Sequence, residues 1–423
     1  MKLHLTISIL FLFITAGSSQ ISLQDVLDKA INSSPEYELK SLIHQQGSYE
    51  INNIEKNKLP QLGFSGQASY QSDVSFLDIE LPGIEVSPPG KFQYKLQGEV
   101  RQLIYAGGVT NKLKEAANVF SKIEDAQNEV NLEMIREQVI TLFFSILELT
   151  SALEIVDLKA GDINSQIDKM NVGVRNGVVL ESEINVLKAA AIEIEKEKIS
   201  ILNSRKSMLN TLSILTSETY DDDDTFVLPE NLENQAIVSG DLAFYKILNQ
   251  QSKAIEIENN LNKMATLPKL AAFGNLGVGK PGLNFLDDKL SEYYILGLNM
   301  QLKLDKLYTR NNDRQIIQLQ QEQLNARKLS HDLRMNSLIS GYENDLDKYD
   351  LFLAKNILLL DLRTQIKEVA EVQLENGIIN TDDYLIKLNE ENRARINISI
   401  STIRSVMTQY LLQHITGNYD KTF

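Results

Sequence analysis

The stretch LEMIREQVITLFFSILELTSALEIVDLKAGDINSQIDKM, from Leu132 to Met170, decides the fold of this chain. Its apolar residues recur at alternating intervals of three and four positions, which is the spacing of a coiled-coil seam. Because no proline lies between Pro89 and Pro229, a continuous helix is predicted over 108–171. A helix of roughly 60 residues is about 90 Å long, so it must lie along other helices of similar length.

The same order of elements occurs twice. Residues 20–217 are predicted to form a helix, a hairpin at 62–105, the long helix at 108–171 and a helix at 181–215. A polar connector at 218–240 follows. Residues 241–423 then repeat the order, with a helix, a hairpin at 269–305, a long helix at 308–374 and a helix at 382–415. The turn ENGII at 375–379 repeats RNGVV at 175–179 at an offset of 200 residues, so a duplication is predicted.

Residues 1–19 have the pattern of a secretory signal peptide. Lys2 is followed by a short apolar run and then by small residues, which predicts cleavage before Gln20. The apolar run is too short to span a bilayer. An exported chain is expected, and without cysteine it has neither disulfides nor a lipid-anchor cysteine.

The charge balance argues against nucleic-acid binding. The sequence has 42 basic and 57 acidic residues, a net charge of −15, which becomes −16 when Lys2 is removed with the signal peptide. Nucleic acids are bound by clustered Lys and Arg side chains, so a nucleic-acid partner is not expected. After the signal peptide no run reaches 18 consecutive apolar residues, so contact with a membrane would have to use strands.

Four runs alternate between apolar and polar residues, after a first helix predicted at 21–58. These strand-like runs cover 62–76, 91–101, 269–279 and 290–304, and each is long enough to cross a bilayer at a tilt. Even positions are mainly apolar, whereas odd positions are mainly polar. The polar face is predicted to line a wet barrel lumen, with Gln67, Gln71, Lys95, Glu99 and Gln301 as lumen residues.

Four strands cannot close a barrel in lipid, because an open edge leaves backbone groups unpaired. Two chains would give eight strands with a side-chain-filled interior, whereas three would give twelve strands and room for a lumen. The polar face favours at least three chains. The expected fold is mainly α with a transmembrane β part, in which four strands per chain contribute to a barrel shared between chains and the long antiparallel coiled-coil helices suit a tube that projects from the membrane.

The chain resembles the TolC family of outer-membrane efflux proteins. The likeness rests on Ser22–Leu27 (SLQDVL), the Leu59–Pro60 step into the first strand, LIYAGG at 103–108 and the turn glycines Gly177 and Gly377. It implies a homotrimer in outer-membrane lipid that extends into the periplasm. In that homotrimer, four strands per chain contribute to a trimeric 12-stranded β-barrel, and the antiparallel coiled-coil helices form an α-barrel. It also implies that a periplasmic adaptor protein and an inner-membrane transporter, of RND or ABC type, deliver small molecules or type I secretion substrates to this exit duct.

The resemblance further implies a gate at the helix turns farthest from the membrane. Carried over by position, the periplasmic turns are at Gly177 and Gly377, and the gate candidates are Glu181, Glu183, Asp382 and Asp383. The family's second acidic position is occupied here by Ile386. A ring of carboxylates would favour cations. Alternatively, acids in the first turn of a helix cap it and complement its dipole.

Other chemistry is not expected. Three histidines outside the signal are scattered over predicted helices, so the sequence predicts neither an enzyme nor a cofactor or metal site. The run at 221–224, four aspartates, could bind a divalent cation or form a solvated connector. The alternative function is a secreted or periplasmic coiled-coil scaffold without a pore, which would not need the alternating runs.

Overall fold

A computed structural model of the chain describes residues 20–74, 90–232, 242–284 and 287–417. The fold is mainly α-helical with a β part. In these residues the helices are α1 (Leu23–Ser33), α2 (Pro35–Lys56), α3 (Val109–Arg175), α4 (Glu181–Thr216), α5 (Ala243–Met264), α6 (Lys306–Glu375) and α7 (Thr381–Thr416). The strands are β1 (Gln20–Ile21), β2 (Gln61–Tyr70), β3 (Phe92–Tyr105), β4 (Thr225–Phe226), β5 (Lys269–Lys280) and β6 (Ser291–Gln301). The predicted signal peptide lies outside the described residues.

The described residues group into two compact units. One, the helical unit, takes in the described parts of 1–38, 130–242 and 332–423; the other, the sheet unit, takes in those of 39–129 and 243–331. Each unit therefore draws segments from both predicted repeats.

The coiled-coil seam of α3 is buried, as its spacing predicts. In the helical unit Val139, Ile146, Val156 and Ile163 are at most 1% exposed. The first two lie in a core shared with α1, α4 and α7, and the other two lie in a second core with α4, α6 and α7. Burial of large aliphatic side chains in these seams, at about 1.5–3 kcal/mol each, is the main force that holds the long helices together.

Within the described residues, one helix, α3, is long and apolar enough to cross a membrane, judged by length and composition alone. Half of its most apolar segment of 18 residues is buried inside the chain. Phe143, Phe144 and Ile146 in this helix have no exposed surface and lie in the helical core. A core helix of a soluble unit has the same composition, so this burial accounts for the apolar character of α3.

The single helix predicted over 21–58 is wrong. The chain forms α1 and α2, with Ser34 between them in an extended conformation at ψ 137°. Pro35 causes the break, because a proline disfavours the helical conformation of the residue before it and is well suited to the first position of a helix. The Ser34 hydroxyl then accepts a hydrogen bond from the Glu36 backbone N–H at 3.0 Å.

The sheet unit contains one antiparallel four-stranded sheet in the order β2-β3-β5-β6. Two predicted strands were too long. The first was predicted to run to position 76, but β2 ends at Tyr70; the last two predicted positions, 75 and 76, lie outside the described residues. The fourth was predicted to run to position 304, but β6 ends at Gln301. Beyond β2, the Asp73 carboxylate accepts a hydrogen bond from the Val74 backbone N–H at 2.9 Å, and such local bonds compete with a strand ladder.

Candidate functional site

One face of the four-stranded sheet carries four of the five predicted lumen residues, and the fifth, Gln71, comes directly after β2. Gln67 lies directly opposite Lys95, and Glu99 lies opposite Asn275 on the next strand. Gln301 lies opposite Lys269. Lys269 and Asn275 are an even number of positions apart on β5, so they lie on the same face of the sheet. Gln71 follows β2, and its side-chain amide donates a hydrogen bond to Gln93 at 3.3 Å, a residue paired with Ser69 on this same face.

This polar face is partly ordered by contacts across the strands. The Tyr293 hydroxyl donates a hydrogen bond to the Gln97 side chain at 3.0 Å, and Lys95 Nζ lies 5.0 Å from the centre of the Tyr293 ring. The second hairpin also places Phe273 and Ile295 on this side, because they alternate in step with Asn275. The polar character is therefore strongest on β2 and β3.

The opposite face of the sheet is apolar and exposed. Phe64 is 89% exposed and Leu96 is 60% exposed. The other exposed apolar residues of this face are Leu62, Tyr70, Phe92, Tyr94, Val100, Leu276, Tyr294, Leu296, Leu298 and Met300. A contiguous apolar surface of this kind is a contact surface for lipid or protein rather than for water.

Both edges of the sheet are open in the single chain. In the described residues β2 pairs with β3 alone and β6 pairs with β5 alone. The outer backbone N–H and C=O groups of β2 and β6 are thus available to further strands.

The two helix turns are built in the same way. Gly177 and Gly377 adopt φ of +74° and +69°, a left-handed conformation that glycine enters without a side-chain clash. The N–H of Gly177 donates to Val174 O at 2.9 Å and that of Val178 donates to Gly173 O at 3.0 Å. The bonds from Gly377 to Leu374 O (3.0 Å) and from Ile378 to Gln373 O (2.8 Å) repeat this pattern. Each turn is a Schellman motif, which satisfies the last carbonyls of α3 and α6.

After the turns, the acidic residues have different partners. Glu183, in the first turn of α4, accepts a hydrogen bond from the backbone N–H of Thr381 at 3.0 Å. Thr381 is the first residue of α7 and is fully buried. The hydroxyl and the backbone N–H of Thr381 hold the pKa of the Glu183 carboxyl below its ordinary value. Glu183 therefore caps the helix of the other repeat.

The other three gate candidates are exposed. Asp383 is the residue 200 positions after Glu183, yet in the described residues no hydrogen bond or ion pair to its carboxylate is found. Its backbone N–H donates to the Asn380 side chain at 2.8 Å, which is an ordinary cap of α7. Leu180 precedes α4 and provides no side-chain cap. In the described residues the backbone N–H of Glu181 therefore has no carboxylate acceptor comparable to the one that Glu183 provides to the N–H of Thr381. Asp382 also lies in the first turn of α7.

The aspartate run at 221–224 is held by a buried arginine. The guanidinium of Arg205, only 4% exposed, donates to Asp222 O at 2.9 Å, to the Asp222 carboxylate at 3.1 Å and to Asp224 O at 3.1 Å. The guanidinium thus pairs with one of the four carboxylates and fixes the backbone of the run through two carbonyls. In the part of the chain that the structure describes, no group of three or more His, Cys, Asp or Glu residues is arranged to hold a metal ion.

Thr381 was missed as a functional residue by sequence reasoning. It lacks an acidic or aromatic signature, and its role depends on a partner 198 residues away. The signal that could have found it is the 200-residue offset between the repeats, because that offset aligns Thr381 with Glu181 and Asp383 with Glu183.

Comparisons with known proteins support the fold. No protein-family profile and no curated protein matches the sequence. Among solved structures, the chain is similar to the outer membrane protein VceC from Vibrio cholerae, with a TM-score of 0.73, 14% identity, and coverage of 93% of this chain and 96% of that one. The CmeC outer membrane channel of Campylobacter jejuni gives a TM-score of 0.69 and 15% identity over 93% of this chain and 85% of that one. The open state of the Neisseria gonorrhoeae MtrE outer membrane channel gives 0.66 and 14% over 93% and 88%.

At these identities the similarity establishes the fold. The resemblance to the TolC family drawn from the sequence is thus confirmed at the level of fold: the chain has the mainly α architecture, with its β part, of outer-membrane channel proteins.

Proposed function

We propose that this chain forms a homotrimeric outer-membrane channel that serves as an exit duct for small molecules or for type I secretion. The observation that carries the proposal is the four-stranded sheet, with two open edges, one exposed apolar face and one polar face. Its strands contain 10 to 14 residues, which matches the 9–11 or so needed to cross a bilayer at a tilt.

Three copies provide the smallest closed barrel that has a wet interior. In lipid an unpaired strand edge costs several kcal/mol for each backbone group, so β2 and β6 require partners from other copies. Twelve strands leave space inside, where Gln67, Gln71, Lys95, Glu99 and Gln301 would face water while the apolar side faces lipid. Part of the chain would extend into the periplasm.

The structural neighbours are outer-membrane channels, which supports an outer-membrane location and a role in export. A periplasmic adaptor protein and an inner-membrane transporter of RND or ABC type would deliver the cargo. The turns at Gly177 and Gly377 would form the periplasmic end, with Glu181, Glu183, Asp382 and Asp383 at its gate. For Glu183 the bond to Thr381 favours the capping role, which is compatible with a place at the gate.

Charges placed on the apolar face test this function against the scaffold alternative. Tyr94→Asp combined with Leu96→Asp should prevent assembly in the outer membrane, because each charge would lie in hydrocarbon. The control, Gln93→Asp combined with Gln97→Asp, puts the same charges on the same strand but on the polar face, and should assemble. The measurement is membrane fractionation followed by native gel electrophoresis. Normal behaviour of both double variants would favour the scaffold.

A further inference from the structure

The charged side chains of the sheet are divided unequally between its two faces. The strands β2, β3, β5 and β6 contain six of them. Four lie on the polar face, as the strand pairing and the alternation of side chains determine: Lys95, Glu99, Arg101 and Lys269. The apolar face has one acid, Glu292, and one base, Lys280, near the same end of the sheet. The strands are therefore neutral on the apolar face, whereas the polar face carries three bases against one acid.

The positive excess on the polar face is opposite in sign to the charge of the whole chain. The sequence has 42 basic and 57 acidic residues, a net charge of −15. Just beyond the strands, Asp73 after β2 and Lys91 before β3 carry opposite charges, so together they leave the excess unchanged. A positive face on an acidic protein is thus a local feature of these strands and does not follow from the composition.

The three bases of the polar face are not neutralised within the chain. Among the described residues, no carboxylate lies within ion-pair distance of Lys95, Arg101 or Lys269. The base of the apolar face, Lys280, by contrast pairs with Asp288 at 3.4 Å. Lys95 Nζ lies 5.0 Å from the centre of the Tyr293 ring, and an aromatic ring attracts a cation without cancelling its charge. The polar face therefore presents uncompensated positive charge.

The bases are spread along the length of the sheet, and the acid lies near one of them. At about 3.4 Å per residue, Arg101 lies about 20 Å from Lys95 along β3, and Glu99 lies about 7 Å from Arg101. Arg101 pairs with Phe273, which is four residues from Lys269 on β5, so Lys269 lies about 14 Å further on. Glu99 offsets one base at most, which leaves Lys95 and Lys269 uncompensated toward opposite ends of the sheet.

We infer that the barrel lumen prefers anions, so that negatively charged solutes are the favoured cargo of the duct. The inference rests on the proposed function, in which three copies place this polar face around one lumen. With three bases and one acid from each chain, the strands give that lumen nine positive side chains against three negative ones. Rings of Arg and Lys side chains are a means by which pores select anions and phosphates.

The acidic residues of the proposed gate would act in the opposite direction, because rings of carboxylates favour cations. They lie after the helix turns and not in the strands. Substitutions confined to the strands therefore isolate the contribution of the barrel, and the change in selectivity between variants is the quantity to measure.

Reversal potentials in a potassium chloride gradient across a planar bilayer test the inference. Lys95→Gln combined with Lys269→Gln should lower the chloride-to-potassium permeability ratio about twofold at roughly 0.1 M salt, where the Debye length is about 10 Å. Glu99→Gln should raise the ratio. The matched control, Glu292→Gln, makes the same change on the apolar face of the same sheet and should leave the ratio as in the wild type. At roughly 1 M salt the Debye length is about 3 Å, and the shifts should disappear.

Two outcomes separate this inference from the proposed function. If the variants conduct but the double lysine substitution leaves the ratio unchanged, or Glu292→Gln shifts it as much as Glu99→Gln does, the inference is overturned while the channel stands. If correctly folded wild-type protein inserts no channels, the proposed function fails, and the inference fails with it. Should the double variant not assemble, the single variants Lys95→Gln and Glu99→Gln decide the question, because they must shift the ratio in opposite directions.

Discussion

The two helix turns of this chain have the same backbone but different surroundings. Gly177 and Gly377 adopt nearly equal φ angles and close the same pair of hydrogen bonds. Yet Glu183 after the first turn is bonded to Thr381. Asp383 after the second turn instead lines an open, mainly apolar groove between α6 and α7, whose wall includes Leu362 and Val369. The difference teaches that a duplicated chain satisfies one of its two equivalent contacts internally and leaves the other open in the single chain.

The largest expected effect comes from charges placed in the open groove. Leu362→Glu combined with Val369→Glu should abolish the proposed trimer if a second copy packs on this groove, because both lining side chains would then become buried charges. Size-exclusion chromatography with light scattering in detergent measures the mass. The control Val372→Glu alters an exposed valine of α6 that does not line the groove, and it should leave the mass unchanged. Trimers that survive the double substitution would contradict the comparison.

A smaller effect is expected at the internal contact. Glu183→Ala leaves the buried N–H of Thr381 without its acceptor, which should destabilise the fold by about 1–2 kcal/mol. Asp383→Ala should cost only a few tenths of a kcal/mol in the isolated chain, through the helix dipole. Thermal unfolding of both variants in the monomeric Leu362→Glu, Val369→Glu background, followed by circular dichroism in detergent, checks the difference. Equal losses in the isolated chain would show that the two turns are equivalent after all.

The turn glycines should respond alike. A Cβ atom at Gly177 or Gly377 would meet no atom within 4 Å, so the cost of Gly→Ala is the left-handed conformation alone. About 1 kcal/mol is expected for each. The two variants can be compared by the same unfolding measurement, and unequal costs would show that the backbones of the turns differ in strain.

The smallest effect is a dependence of the Thr381 contact on pH. Because the pKa of Glu183 is lowered in the folded chain, its contribution is fully present above the unfolded pKa of about 4.3 and is lost as pH falls through the folded value. Hydrogen exchange of the Thr381 amide should therefore lose protection at acidic pH. Glu183→Gln keeps the acceptor oxygen without a charge and should remove this dependence on pH. If the Thr381 amide of Glu183→Gln still loses protection at acidic pH as in the wild type, Glu183 is not the cause of the pH dependence.

Much of the fold was predictable because its signals are local and repeated. The three-four spacing in α3 indicated a coiled coil, and the buried seam residues confirm it. The alternation at 91–101 predicted a strand, and the structure has β3 there. The break between α1 and α2 at Ser34 also has a local cause, because a proline disfavours the helical conformation of the residue before it, and Pro35 would have predicted the break.

The pairing of Glu183 with Thr381 could not be read from local pattern. It depends on how two segments 198 residues apart are brought together, and a threonine carries no charge signal of its own. The groove between α6 and α7 could not be predicted either, because its apolar residues on α6 have the same spacing as buried core positions.

The most direct test of the account is the conductance of the purified wild-type protein in a planar lipid bilayer. The account predicts stepwise insertion of channels of uniform conductance, formed by a species of trimeric mass. Correctly folded protein that inserts no channels at any voltage would contradict the proposal that this sheet closes into a conducting pore.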